Sequence, residues 1–116
     1  MFGGNDGNTF FNEIYILNPH AAVASLSFYN WSTVAYASTS APPPLSHVGG
    51  FMHNNTLWIY GGLAAHGIVH STLWSFDFAS KWWTHHPHDA SAGHFVPRPC
   101  YGCSLVFIAA FPSITA

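Results

Sequence analysis

Ile59-Tyr60-Gly61-Gly62 closes one short apolar run of the chain, and Met1-Phe2-Gly3-Gly4 closes another. In a chain of 116 residues, a strand-like run that ends twice in two adjacent glycines indicates an internal repeat. Repeats with a period of roughly 40–50 residues are typical of propeller blades, each of which is a four-stranded antiparallel sheet. The runs that follow each glycine pair should therefore be the remaining strands of each repeat.

The composition indicates a folded chain and narrows the kinds of partner. Apolar residues make up 49% of the chain and charged residues only 5%. Disordered sequences have the opposite composition, with few apolar and many charged residues. The formal net charge of -2 leaves no basic patch, so we expect no nucleic-acid partner. The best apolar run, residues 105–111, is far shorter than the roughly 20 residues of a membrane span. We see no signal peptide, because polar residues follow Gly4 at once; the compartment is unknown, with the cytoplasm as the default.

Short aromatic and β-branched runs bounded by Gly, Pro and Asn predict an all-β fold, since none has a helical period. The second half contains the four strands of an antiparallel meander, at residues 46–52, 56–60, 72–78 and 81–84. The first half contains parts of the same unit, at residues 1–2, 13–17 and 31–36. The spacing of equivalent residues places an insertion between Leu17 and Trp31, which we expect to be a long connection.

These strands divide the chain into three segments. Residues 1–40 form a partial first blade without its opening strand, residues 41–86 form a complete blade, and residues 87–116 form an inter-blade loop and the opening strand of a third. About two blades cannot close a ring, which takes roughly 4–8. We therefore expect a fragment of a longer propeller. The alternatives are a ring assembled from copies of the chain and a small open sheet.

The pattern resembles the kelch repeat, in which an apolar strand closes on two glycines, an aromatic lies on the next strand, a tryptophan follows, and a proline-led strand opens the next unit. The match covers nearly the whole chain. The motif residues carried over by position are Gly3, Gly4, Tyr15, Trp31, Gly61, Gly62, Trp74 and Trp82, with Trp83 as the alternative to Trp82. The resemblance implies an incomplete kelch-type β-propeller in which these residues are structural. The family's opening histidine is His47 here, but Gly102 takes that place in the third opening strand.

The resemblance also implies a protein-protein interaction module or scaffold without chemistry of its own. Binding residues concentrate in loops held by a rigid scaffold. The candidates lie in the loops after the glycine pairs and after the fourth strand: Asn5, Asp6, Asn8, His66, His70, His85, His86 and His88. We expect a protein partner, and self-association through open blade edges as a further contact.

The alternative function is a metal-binding or copper-oxidase-like propeller enzyme that uses the histidines. There are nine histidines against two basic and four acidic residues, and the cluster from His85 to His88 could offer two or three ligands. Polar residues also accumulate in loops beside proline, so we predict no metal, no cofactor and no catalytic residue. Cys100 and Cys103 supply only two of four zinc ligands and precede no helix, which favours a structural role.

Overall fold

The computed structural model describes residues 1–23, 26–87, 97–106 and 108, and for residues 20–23 and 26–28 only the backbone is considered. In this part of the chain, six strands form two antiparallel sheets. The strands are β1 (Tyr15–Val23), β2 (Leu26–Thr33), β3 (Gly49–His53), β4 (Thr56–Tyr60), β5 (Leu73–Asp77) and β6 (Trp82–His86). A 3-10 turn at Ala65–Gly67 is the one helical element among the described residues. The predicted all-β fold class is confirmed.

The larger sheet is the four-stranded meander expected in the second half, in the order β3-β4-β5-β6. Asn54 and Asn55 join β3 to β4 with φ of 47° and 58°, the conformation of a tight hairpin turn for which asparagine is well suited. The turn between β5 and β6 is held by Asp77, whose Oδ1 accepts a hydrogen bond from the Ala79 amide at 2.9 Å. These two connections are tight turns, whereas β4 and β5 are joined by the longer loop of residues 61–72.

The two faces of this sheet are defined by the register of its strands. The core face carries Leu57, Ile59, Trp74, Phe76 and Trp83, and the opposite face, which we call the Trp58 face, carries Phe51, Trp58, Ser75, Thr84 and His86. Trp82 and Trp83 point to opposite faces because side chains alternate along a strand. Trp83 is 1% exposed and Trp82 is 48% exposed. Trp83 is thus the tryptophan that fills the core.

The core lies between the N-terminal segment and the core face. Phe2 meets Trp83 edge-on, with ring centroids 5.5 Å apart, and Tyr36 packs against both Phe76 at 5.3 Å and Trp83 at 5.7 Å. Ile14 is also fully buried here. The first and second predicted units therefore share one hydrophobic core, in which aromatic rings from both units pack together.

The smaller sheet differs from the expectation. The insertion after Leu17 was predicted as a long connection, which is wrong: Asn18 pairs with Asn30 and Pro19 with Tyr29, so the extra residues lengthen β1 and β2 as a hairpin. The side-chain amide of Asn18 donates a hydrogen bond to Ser32 Oγ at 2.8 Å across the two strands. Such cross-strand hydrogen bonds allow polar residues, whose composition is typical of a loop, to extend the pairing of two β-strands.

Candidate functional site

The two glycine pairs have the same backbone conformation. Gly3 and Gly61 have φ of 69° and 74°, and Gly4 and Gly62 both have φ of 109°. These angles lie in the region that only glycine enters easily. The predicted sequence repeat is thus also a repeat of local geometry.

The hydrogen bonds around the first glycine pair recur around the second. Gly3 N–H donates to Glu13 C=O at 3.0 Å, and Gly4 N–H donates to Leu45 C=O at 2.8 Å. Phe11 N–H in turn donates to Gly4 C=O at 2.9 Å. The opening segment of the second unit is therefore bonded directly to the glycine turn of the first.

The second pair makes the same three bonds with its own neighbours. Gly61 N–H donates to Thr72 C=O at 3.1 Å, Gly62 N–H donates to Cys100 C=O at 2.8 Å, and His70 N–H donates to Gly62 C=O at 2.9 Å. A Cβ at Gly61 would collide with the Cys100 carbonyl oxygen, as one at Gly3 would with that of Leu45. Gly3 and Gly61 must therefore be glycine for two reasons: their φ is positive, and the backbone of a neighbouring segment lies too close for a Cβ.

The loop after Gly4 is organised by its own side chains. Asp6 Oδ1 accepts hydrogen bonds from the amides of Asn8 at 2.9 Å and Thr9 at 2.7 Å, and Asn5 Oδ1 accepts one from Gly7 at 3.1 Å. The bonds from Thr9 and Asn8 hold the pKa of Asp6 below its usual value. The predicted residues of this loop are therefore exposed and locally ordered.

The loop after Gly62 occupies the equivalent position. Isolated bridges close both loops, between Asn5 and Phe10 in the first and between Leu63 and Val69 in the second. His66 is exposed at the tip with φ of 64°, whereas His70 at the loop's end is half-buried. Both predicted histidines thus belong to this loop, but only His66 faces solvent fully.

Backbone hydrogen bonds connect these loops with the opening segments into one surface. Ser46 and Leu63 exchange two bonds, at 2.9 and 2.8 Å, and Gly102 N–H donates to His47 C=O at 2.7 Å. The His47 ring meets the exposed Tyr101 ring at 6.1 Å. We call this surface the double-glycine edge, which comprises residues 4–11, 45–47, 61–70 and 100–102.

The histidines of β6 contact tryptophans of the larger sheet. His85 tilts over Trp74, with ring centroids 4.9 Å apart. His86 stacks on Trp58 at 4.9 Å, and its Nε2 lies 2.7 Å from Ser75 Oγ. Burial, and to a lesser extent the neighbouring His85, lowers the pKa of His86. Of these two predicted binding residues, His86 is half-buried and His85 is exposed, while His88 lies outside the described residues.

The motif aromatics occupy different environments. Trp74 packs half-buried against the core. Tyr15 is half-buried, and its hydroxyl donates a hydrogen bond to Glu13 Oε2 at 2.8 Å, which raises its pKa. Trp31 on β2 is 59% exposed. Tyr15 and Trp74 hold the same position in the motif and are both half-buried, whereas Trp31, at the later tryptophan position, is exposed.

An apolar groove of about 390 Å³ separates β1 from the larger sheet, a feature for which we made no sequence prediction. Ile14 and Ile16 line one side, and Leu57 and Phe78 line the other. The alternation of apolar residues along β1 and β4 was the available signal, but it does not reveal how closely two sheets approach. The groove lies beside the shared core.

Three further findings concern metal ligands, the cysteines and membrane-spanning helices. No group of three His, Cys, Asp or Glu residues could hold a metal ion within the described ranges. Cys100 and Cys103 form a disulfide. No helix in the described part of the chain is long and apolar enough to cross a membrane.

Two sequence comparisons do not assign the chain to a family. No protein-family model matches the chain, and a search of curated proteins found no match either. A function for the chain is therefore inferred from the repeated geometry and from the surface that it forms.

Proposed function

We propose that the chain is part of a kelch-type β-propeller that serves as a protein-binding scaffold, with its partner bound at the double-glycine edge. The observation that carries this proposal is the recurrence of one glycine turn and one following loop in both units. A partner that lies along the edge would contact both loops at once, because the opening segments join them through hydrogen bonds.

The kelch-type part of the proposal is supported by the fit between motif and geometry. Paired glycines with positive φ stand where the pattern expects them, and a large aromatic, Trp83, is buried between the units. A blade must bury its flank against its neighbour, which explains why these positions are large and apolar.

The chemistry of the edge suits a polypeptide. Ile68 is 56% exposed and Tyr101 is 55% exposed, and aromatic side chains are enriched where proteins bind one another. Asp6 in the first loop and His66 in the second add hydrogen-bonding groups to the edge. With so few charges in the chain, contacts would rely on apolar surface and hydrogen bonds more than on ion pairs.

The test compares two matched substitutions. Ile68→Ser alters the double-glycine edge, and Met52→Ser alters a residue of similar exposure, 55%, on β3. Each tagged variant is expressed in cells of the source organism, and co-purified proteins are quantified against wild type. Circular dichroism checks that both variants fold.

We expect Ile68→Ser to reduce a specific partner at least severalfold and Met52→Ser to leave it unchanged. Equal recovery with both variants, or loss with Met52→Ser alone, would place binding elsewhere and refute the proposal. A second edge variant, Tyr101→Ser, serves if Ile68→Ser does not fold.

A further inference from the structure

One face of the β1–β2 hairpin presents large apolar side chains to solvent. Leu17 is 49% exposed, Tyr29 is 63% exposed and Trp31 is 59% exposed. Leu17 pairs directly with Trp31, and Tyr29 pairs with Pro19 two residues along, so all lie on the same face. We call this the hairpin face. Neighbouring exposed apolar residues on one face are typical of an interaction surface.

The internal repeat identifies what covers the corresponding face of the second unit. In the first unit Phe2 forms a β-bridge with Ile14, and at the equivalent place in the second unit Tyr60 pairs with Leu73. Counting three residues on from Ile14 and from Leu73 makes Leu17 the equivalent of Phe76. Their cross-strand partners, Trp31 and Trp83, are then equivalent as well.

In the second unit this pair is buried by the first unit. Phe76 is 0% exposed and Trp83 is 1% exposed, and both contact Tyr36, while Trp83 also contacts Phe2. Leu17 and Trp31 are therefore the first-unit counterparts of Phe76 and Trp83. In the second unit, the first unit covers this position with its opposite face.

The Trp58 face is the counterpart of that covering face. Phe2 and Ile14 correspond to Tyr60 and Leu73, which lie on the Trp58 face by register. At one end of this face Tyr60 is 8% exposed, and its hydroxyl donates a hydrogen bond to Pro97 C=O at 3.0 Å. Further along, Trp58 is half-buried and stacks with His86 at 4.9 Å, and the neighbouring Thr84 is exposed. One molecule thus carries both kinds of face, the hairpin face on the smaller sheet and the Trp58 face on the larger one.

We propose that the hairpin face of one copy docks on the Trp58 face of a second copy, head to tail, and repeats the contact between the two units. Leu17 and Trp31 then take the places that Phe76 and Trp83 hold within the chain. A second copy is the occupant because the complementary face is present on the same chain. The interface is heterologous, so association continues from copy to copy. This proposal is independent of partner binding at the double-glycine edge.

The first test measures mass against concentration by sedimentation velocity for the 116-residue chain. We expect association that Trp31→Ser and Leu17→Ser each weaken at least tenfold. Met52→Ser is the matched control, since Met52 is 55% exposed and lies on neither of the two docking faces, and should associate like wild type. A wild type that stays monomeric at all concentrations, or equal weakening by Met52→Ser, would overturn the proposal.

The second test distinguishes head-to-tail docking from a symmetric pairing of two hairpin faces. Trp31→Asp disables the hairpin face, and Trp58→Ser disables the other. Each variant alone should be monomeric, whereas their mixture should form dimers that grow no further. No dimer in the mixture, or dimers of Trp58→Ser alone, would refute the head-to-tail geometry. His86→Glu replaces Trp58→Ser if circular dichroism shows that the latter is unfolded.

Discussion

The substitution Gly61→Ala tests the requirement for glycine at the turn that both units share. Gly61 has φ of 74°, and an added Cβ would collide with the Cys100 carbonyl oxygen. Gly67 is a matched control, because its φ is 73° and a Cβ there would meet nothing within 4 Å. The two alanine variants differ in the close backbone approach while sharing the strained φ.

The expected cost follows from these two contributions. The left-handed conformation costs an alanine about 1–2 kcal/mol, which both variants bear. In Gly61→Ala the Cys100 carbonyl must also move, although it accepts the hydrogen bond from Gly62 N–H at 2.8 Å. Leaving a buried amide without its partner costs about 1–3 kcal/mol. Gly61→Ala should therefore lower the free energy of unfolding by about 2–5 kcal/mol, and Gly67→Ala by about 1–2 kcal/mol.

Urea unfolding followed by tryptophan fluorescence measures both free energies, and equal m-values show that the same surface is exposed on unfolding. Gly3→Ala should behave like Gly61→Ala, because its Cβ would collide with the Leu45 carbonyl oxygen. Equal costs for Gly61→Ala and Gly67→Ala would refute the close approach, and a mild Gly3→Ala would refute the equivalence of the two turns.

The remaining predictions concern buried rings and one titrating group. Trp83→Ala should cost about 3–5 kcal/mol in urea unfolding because it empties the core, whereas the exposed Trp82→Ala should cost under about 1 kcal/mol; similar costs would contradict the assigned faces. Tyr36→Phe removes the hydroxyl that donates to Asn12 C=O at 2.6 Å and should cost about 1 kcal/mol; an unchanged urea midpoint would show that this bond contributes nothing. Because the pKa of His86 is lowered from 6.5, the unfolded chain binds its proton more readily, so the stability it contributes is present above pH 6.5 and lost as pH falls below it. His86→Gln should flatten that part of the stability–pH curve, and an unaltered curve would assign the dependence to other groups.

Much of the larger sheet could be predicted because its boundaries have local causes. Asn54 and Asn55 favour a tight turn, and Gly61 ends the strand with a conformation that only glycine adopts easily. The sequence alone does not decide whether Trp82 or Trp83 faces the core, since this depends on the register across the turn after β5. A shift of one residue there exchanges the two faces.

The smaller sheet was harder to predict, because Asn18, Pro19 and Asn30 have compositions typical of a loop. Their strand conformation comes from pairing with each other, which is a cross-strand property rather than a local one. The surroundings of His85 and His86 were missed for a similar reason. Their stacking on Trp74 and Trp58 requires the alignment of three strands.

The most direct test of the account is a double-mutant cycle between Phe2 and Trp83, whose rings meet edge-on at 5.5 Å across the two units. Urea unfolding of Phe2→Leu, Trp83→Phe and the double variant measures the coupling free energy. If the units stack as described, the pair should couple by about 0.5–1.5 kcal/mol. Additive effects of the two substitutions would contradict the face-to-face packing of one unit on the other.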